Sequence, residues 1–182
     1  MKNTMLEMTR YAALARQAVA EGVVLLKNEA VLPLAPGGRA ALFGYAQFHY
    51  YKSGTGSGGL VNVTHVPNLP EILGGDGGYR LDAEVQARYA AWLADHPYEM
   101  GTGWAQEPWF QPEMPLDEEF VRAAAQRADT AFIVIGRTAG EDQDNTNTPG
   151  SFLLTEDEEN MLALVCRYFN KSVVLLNVGN II

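Results

Sequence analysis

The spacing of apolar residues predicts a chain in which helices alternate with buried strands. From residue 9 onward, Tyr11, Leu14, Ala18 and Val19 recur at helical spacing with polar residues between them, which is typical of an amphipathic helix. Three other runs are apolar without interruption and have the length of buried strands. These runs are RAALFGY (39–45), TAFIVIG (130–136) and SVVLLNVG (172–179).

Capping signals predict three further helices. Asp82 precedes one amphipathic stretch, and another is expected from about Asp117 to Ala128. Thr155 and Glu158 have the spacing of a capping box, which predicts the start of a third.

The segments between these elements predict loops and one short helix. LPEILGGDGGYRL (69–81) is expected to form a short helix broken by glycines, and residues 96–115 contain four prolines without any period, which indicates a long loop. The alternation as a whole predicts an α/β fold. We expect a layered sandwich with a mostly parallel sheet flanked by helices, with flavodoxin-like layering, in a single domain spanning residues 1–182.

Composition narrows the classes of partner. The 182 residues carry 13 Lys and Arg against 22 Asp and Glu, a net charge of -9, which argues against binding to nucleic acid or an anionic membrane surface. The single cysteine, Cys166, excludes an internal disulfide and is expected to be buried in an apolar helix. No apolar run approaches the roughly 20 residues of a membrane span, and no signal-peptide core follows Met1. A cytoplasmic protein is expected if Met1 is the native start.

Two unusual loops follow predicted strands. The first, YAQFHYYKSGTGSGG (45–59), supplies backbone amides, hydroxyls and aromatic rings, and the second, RTAGEDQDNTNTPGS (137–151), supplies the carboxylates of Glu141, Asp142 and Asp144. Ligands of parallel α/β sheets bind outside the carboxyl ends of the strands. If the strands are parallel, both loops leave from that edge.

The glycine-rich loop contains the spacing Gly54-x-Gly56-x-x-Gly59, which also occurs in dinucleotide-binding proteins. That function requires the glycines to follow a strand directly and to open a helix, and neither condition is met here. No Gly-Lys-Ser/Thr closes the loop, so a P-loop is excluded as well. We expect no cofactor. The remaining alternatives are a mobile surface loop and a loop whose backbone approaches a ligand closely.

The acidic loop also leaves alternatives open. A calcium-binding loop is disfavoured because Asn147 stands where that pattern needs glycine and Leu153 where it needs glutamate. No histidine has a partner at metal-ligand spacing, so no metal site is expected. The loop is then either a solvated polar segment or a source of catalytic carboxylates.

The order of motifs resembles the α/β-sandwich domain of glycoside hydrolase family 3, the β-glucosidase-like enzymes. The specific parts are EGVVLLKN…LPL (21–34) and the series GED (140–142), FLLTEDEE (152–159) and VVLLNVG (173–179). The resemblance covers nearly the whole chain. It implies a retaining hydrolase that removes β-linked sugars, glucose above all, from non-reducing ends.

The resemblance also implies a division of labour between domains. In the family a barrel supplies the nucleophilic aspartate, and in many members a loop of this sandwich domain supplies the acid/base glutamate. The matching stretch, AGEDQDN (139–145), places that role on Glu141. Gln143 and Asn145 stand where members often have an aromatic residue and an arginine. The expected partners are therefore a glycoside or oligosaccharide and the enzyme's own barrel domain.

The chain is expected to be a fragment of a larger enzyme. Because the opening helix begins close to Met1, the resemblance implies an inverted domain order, in which a fibronectin-like module and the barrel follow; an excised domain with a cloning methionine is the alternative. The fragment alone is expected to be inactive, with Glu141 exposed and its pKa ordinary.

Further residues are candidates for the substrate rim. Aromatic faces stack on sugar rings, and small polar groups can approach them closely. These candidates are Phe48, Tyr50, Tyr51, Ser53, Gly54, Trp104, Trp109 and Asp144. The tryptophans have an alternative role, which is to pin a long proline-rich loop to the domain. For the whole chain, the rival hypothesis is a non-catalytic carbohydrate-binding or interaction domain.

Overall fold

A computed structural model describes residues 8–59, 61–63, 65–141 and 143–182. The chain divides into two units, Met1–Pro33 and Leu34–Ile182. The first contains helix α1 (Met8–Gly22), which confirms the amphipathic helix predicted there. The expectation of a single domain stays a prediction.

The second unit is built on four strands. In chain order it contains β1 (Gly38–Phe43), α2 (Leu69–Gly74), β2 (Tyr79–Leu81), α3 (Ala83–Asp95), α4 (Glu118–Arg127), β3 (Thr130–Arg137), α5 (Glu156–Tyr168) and β4 (Ser172–Val178). The strand order is β2-β1-β3-β4, and every pair is parallel. In the central pair Ala40 lies opposite Thr130 and Phe43 opposite Ile133.

Helices cover both faces of this sheet. On one face α3, α4 and α5 bury their apolar sides against alternate residues of β1 and β3, among them Phe43 and Ile133. On the other face α2 packs Leu69 and Leu73 near Leu42 and Phe132. The predicted α/β sandwich with a parallel sheet is therefore confirmed, because continuous apolar strands need cover on both faces.

The predicted caps are also present. Asp82 accepts a hydrogen bond from the Val85 amide at 2.9 Å, and Asp117 caps α4 in the same way. Thr155 and Glu158 form the full capping box of α5. Each cap satisfies amides that have no partner within the helix, which explains why these helices begin where the sequence signal places them.

Three features differ from the sequence-based expectations. The predicted short helix ends at Gly74, and the following YRL segment forms strand β2. Three residues with an arginine in the middle carry too weak a pattern to reveal a strand. Cys166 is exposed and not buried, because it lies on the outer side of α5 while Val165 faces the core. Strand β4, which was expected to be buried, exposes Val174 and Leu176 at one edge of the described sheet.

Among the described residues, no helix combines the length and the apolar character that crossing a membrane requires.

Gly44 sets the direction in which the chain leaves β1. Its φ is +99°, and a Cβ there would lie 2.1 Å from the carbonyl oxygen of Val134 on the neighbouring strand. Neither the φ nor the space suits another residue.

We predict that Gly44→Ala lowers the free energy of unfolding by about 3 kcal/mol or more, because the backbone of β3 cannot move aside. Gly78→Ala is the matched control: its φ is also positive, +66°, but nothing lies within 4 Å of the added Cβ. That control is expected to cost only about 1 kcal/mol. Urea denaturation of the chain measures both, and equal losses would contradict the steric explanation.

Candidate active site

The loops that follow β1 and β3 meet at the carboxyl edge of the sheet. The Thr55 amide donates to the Ala139 carbonyl at 2.7 Å, and Thr55 pairs with Gly140 in an isolated parallel bridge. These contacts extend the β1–β3 pairing beyond the ends of the strands. The expectation that both loops leave from one edge is confirmed.

Glycines make this contact possible. A Cβ on Gly54 would lie 2.3 Å from the Ala139 carbonyl oxygen, and one on Gly140 would lie 2.0 Å from the Thr55 hydroxyl oxygen. Gly56 has a φ of +70°, and a Cβ there would lie 2.7 Å from Oε2 of Glu141. The glycine-rich loop is therefore a close-approach loop, and what it approaches is the acidic loop of the same chain.

The Glu141 carboxylate rests on a single turn of 3-10 helix, Gly56–Gly59. Ser57 binds both of its oxygens: the hydroxyl lies 2.5 Å from Oε1 and the backbone amide donates to Oε2 at 3.1 Å. The side chain is exposed, as expected. Its pKa is not ordinary, however, because the Ser57 hydroxyl and then the Ser57 amide stabilise the anion and lower the pKa of Glu141.

The other acidic candidates lie apart from this contact. Asp142 lies outside the described residues. Asp144 is exposed on the same loop. Its two neighbours in the sequence hold the loop in place by hydrogen bonds. Gln143 donates to the Ala105 carbonyl oxygen, and Asn145 accepts from the Asn180 amide group at 3.2 Å.

One open cleft brings several predicted rim residues together. Its lining comes from Tyr51 to Gly54, from Arg137 to Ala139 and from Asn177 to Gly179. The Asn177 side chain closes one side by accepting from the Tyr51 amide at 2.6 Å and donating to the Tyr51 carbonyl at 3.1 Å. Ser53 and Gly54 thus lie next to the Thr55–Gly140 bridge, which precedes Glu141 directly.

The aromatic candidates divide into exposed and packed groups. Tyr50 and Trp104 are 41% and 55% exposed and stay candidates for contact with a ligand. Phe48 packs against the core beside Tyr89. The carbonyl of Trp109 accepts from the Thr138 amide, which ties the proline-rich loop to the end of β3. Phe48 therefore has a packing role of its own, whereas the contact of Trp109 is made by its backbone, so both roles considered for its ring stay predictions.

Tyr51 is partly buried, and burial raises the pKa of its hydroxyl. Its ring occupies the space above Gly136, where a Cβ would lie 2.9 Å from the ring. The ring therefore needs glycine at the end of β3.

A buried ion pair fixes the base of the acidic loop. Arg137, the last residue of β3, binds Glu158 through two nitrogens, each 2.6 Å from a carboxylate oxygen. Both side chains are almost fully buried. Arg137 also donates to the carbonyls of Ser151 and Leu153, and its guanidinium lies 5.4 Å from the centre of the Phe110 ring. Both ends of the acidic loop are thus anchored to α5.

A second buried carboxylate anchors the loop after β1. Glu113 accepts from the amides of Tyr45 and Met114 at 2.7 and 2.8 Å, and from the Tyr89 hydroxyl at 3.1 Å. Tyr89 in turn accepts from the Gly44 amide at 2.8 Å. Burial nevertheless outweighs these three donors and raises the pKa of Glu113 to about 7.

The sequence model of the glycosyl hydrolase family 3 C-terminal domain matches residues 23–182. The chain belongs to glycosyl hydrolase family 3. The resemblance drawn from the motifs is thereby confirmed.

Two relatives are similar to most of the chain. A beta-glucosidase of Ruminococcus albus is 49% identical over 177 residues, which is 97% of this chain and 19% of the relative. Beta-glucosidase A of Butyrivibrio fibrisolvens is 33% identical over 200 residues, which is 95% of this chain and 23% of the relative.

Solved structures of beta-glucosidases share the fold. A beta-glucosidase from Paenibacillus barengoltzii superposes with a TM-score of 0.90 at 46% identity, covering 100% of this chain and 20% of the other. Beta-glucosidase 3B from Thermotoga neapolitana, in complex with glucose, gives 0.83 at 31% identity, with 97% and 25% covered. The chain therefore spans about a fifth to a quarter of the relatives that it matches.

Sequence reasoning missed four residues that shape this candidate site. Ser57 could have been proposed from the sequence, because its hydroxyl is a hydrogen-bond donor in the glycine-rich loop. Nothing near it in the sequence pointed to Glu141 as its partner. The capping box drew attention to Glu158 as part of a helix start, but nothing in the sequence pointed to its ion pair with Arg137. Glu113 had no signal, because an acid in a proline-rich loop is normally solvated.

We predict that Glu113 makes the stability of the chain fall as pH rises. Its folded pKa of about 7 lies above the ordinary 4.5, so the favourable protonated state is fully present below pH 4.5 and is lost as pH rises through 7. The loss amounts to about 3 kcal/mol. In Glu113→Gln this fall disappears, although the variant is less stable at every pH because the new amide faces the Tyr45 amide.

Urea denaturation at intervals from pH 4.5 to 8 measures this dependence. Glu99→Gln is the matched control from the same loop, since Glu99 is exposed, and it should keep the wild-type slope. Parallel curves for wild type and Glu113→Gln would contradict the prediction.

Proposed function

We propose that this chain is the acid/base-contributing domain of a retaining β-glycosidase, with Glu141 as the general acid and base. One observation carries the proposal: Glu141 is exposed at the carboxyl edge of a parallel sheet and is held there through contacts between two loops. A carboxylate in a merely solvated loop would need no such cradle. Membership of family 3 supports the same role.

The chemistry requires a partner outside this chain. A retaining glycosidase uses two carboxyl groups about 5 to 5.5 Å apart. One, a nucleophilic aspartate that we expect on the barrel domain, bonds to the anomeric carbon while the acid protonates the departing oxygen. Water then replaces the aspartate: its oxygen bonds to the anomeric carbon, its proton passes to Glu141, and the electron pair of the broken bond returns to the aspartate.

Glu141 must therefore be protonated for the first step and ionised for the second. In this chain the Ser57 contacts lower its pKa, which suits the second step. A nearby ionised nucleophile and the exclusion of water would raise the pKa for the first. We infer that closure against the barrel supplies both, and that this chain alone is inactive.

The relatives support a substrate class. Both are named beta-glucosidases, and one similar solved structure holds glucose. We infer that the full-length enzyme removes β-linked sugars, with glucose as the first candidate, from non-reducing ends. The expected order of domains, with the barrel following this one, stays a prediction.

Glu141→Ala in the full-length enzyme tests this proposal. We expect kcat/KM to fall about 10²- to 10⁴-fold on glycosides with poor leaving groups, because no acid protonates the departing oxygen. Activated aryl glycosides hardly need that proton, so their first step should be affected far less. Measuring both substrate types against pH gives the comparison.

Asp76→Ala is the control, because Asp76 is an exposed acid in the turn before β2, at the opposite end of the sheet. It should leave both substrates at wild-type rates. Wild-type activity of Glu141→Ala on both substrates would refute the proposal and favour a non-catalytic carbohydrate-binding domain.

A further inference from the structure

The contact between Ser57 and Glu141 is built by backbone and side chain together. The two residues are 84 positions apart, yet the hydroxyl and the amide of one residue each bind a different oxygen of the other. The Thr55–Gly140 bridge brings the loops together, and Gly56 leaves the space that the carboxylate fills.

We propose that Ser57 is a positioning residue for Glu141, which holds the carboxylate in the orientation in which it acts as general base. This inference rests on the proposed function and deepens it. Ser57 itself need not touch the reacting atoms, because it acts through the group that it fixes.

The donor pattern explains why the ionised form is held. When Glu141 is ionised, the Ser57 hydroxyl and amide both donate to it, and the two carboxylate oxygens are both engaged. A hydroxyl can turn and accept a hydrogen bond when Glu141 carries a proton, but a backbone amide can only donate. The hydrogen bonds from the turn therefore stabilise the ionised form of Glu141 more than the protonated form.

Other charged groups lie near the turn without binding Glu141 in the described structure. Glu107 approaches from the proline-rich loop, with its Oε1 3.8 Å from the Cβ position of Gly59. Lys52 donates to the Val61 carbonyl, and Asp144 lies further along the acidic loop. The Ser57 contacts are thus the specific influence on the Glu141 carboxylate.

Ser57→Ala and Ser57→Thr separate positioning from a general structural role. Ser57 is exposed, so removing its hydroxyl leaves no cavity. Alanine loses the hydroxyl donor, whereas threonine keeps it. In this chain, an NMR titration of the Glu141 carboxyl carbon should show the pKa rising in Ser57→Ala and staying low in Ser57→Thr.

The full-length enzyme provides the second readout. Loss of a donor to the anion raises the pKa of Glu141, so its protonated form persists to higher pH. The alkaline limb of kcat/KM should therefore move to higher pH in Ser57→Ala. On activated aryl glycosides, where the second step limits turnover, kcat should fall about tenfold because the base is less well placed. Ser57→Thr should restore the limb and most of kcat.

Two results would overturn the inference. One is an unchanged Glu141 titration and an unchanged alkaline limb in Ser57→Ala. The other is a threonine variant as impaired as alanine, which would indicate a packing role. If the titration moves but Glu141→Ala shows no dependence on the leaving group, the proposed function fails and the positioning role with it, while the contact itself stands.

Discussion

Backbone pairing between β1 and β3 decides where every other part of this site lies. The two strands are parallel neighbours at the centre of the sheet, and their pairing resumes beyond the strand ends where Thr55 meets Gly140. A loop of glycines and a loop of acids are thereby placed side by side. Without that register, Glu141 would be one more solvated carboxylate.

Buried polar groups anchor the loops that follow β1 and β3 to the interior of the domain. Arg137 and Glu158 hold the acidic loop to α5, and Glu113 holds the loop after β1 through the Tyr45 amide and Tyr89. Breaking a buried pair by removing one partner is strongly destabilising, because the remaining charge has no compensation. The exposed site is therefore built on an interior that tolerates little change.

In the proposed mechanism, the Ser57 contacts favour one protonation state of Glu141 while the first step requires the other. Ser57 favours the ionised carboxylate, whereas protonation of a leaving group requires the acid. In the proposed mechanism, the Ser57-bound anion becomes an acid only when the ionised nucleophile of the barrel domain approaches it. The proton would then be taken up as the two carboxylates approach, since two like charges at close range cannot both remain ionised.

Most of the fold could be predicted from signals within short stretches of sequence. Contacts between residues far apart in the sequence could not. The apolar runs of β1, β3 and β4 and the caps of α3, α4 and α5 are each contained within a few residues. The contacts of Ser57 with Glu141 and of Glu113 with Tyr45 are not, because these partners lie 84 and 68 positions away. The family motif made Glu141 the candidate acid/base, but only the folded chain shows that the glycine-rich loop holds its carboxylate.

The configuration of the product formed with azide tests the role of Glu141 most directly. In the full-length Glu141→Ala enzyme, azide can attack the sugar bound to the nucleophile without any base, through the space that the carboxylate leaves. We expect azide to accelerate turnover of an activated β-glucoside and to give the β-glucosyl azide. No acceleration, or an α-configured product, would contradict the assignment of Glu141 as acid and base of a retaining enzyme.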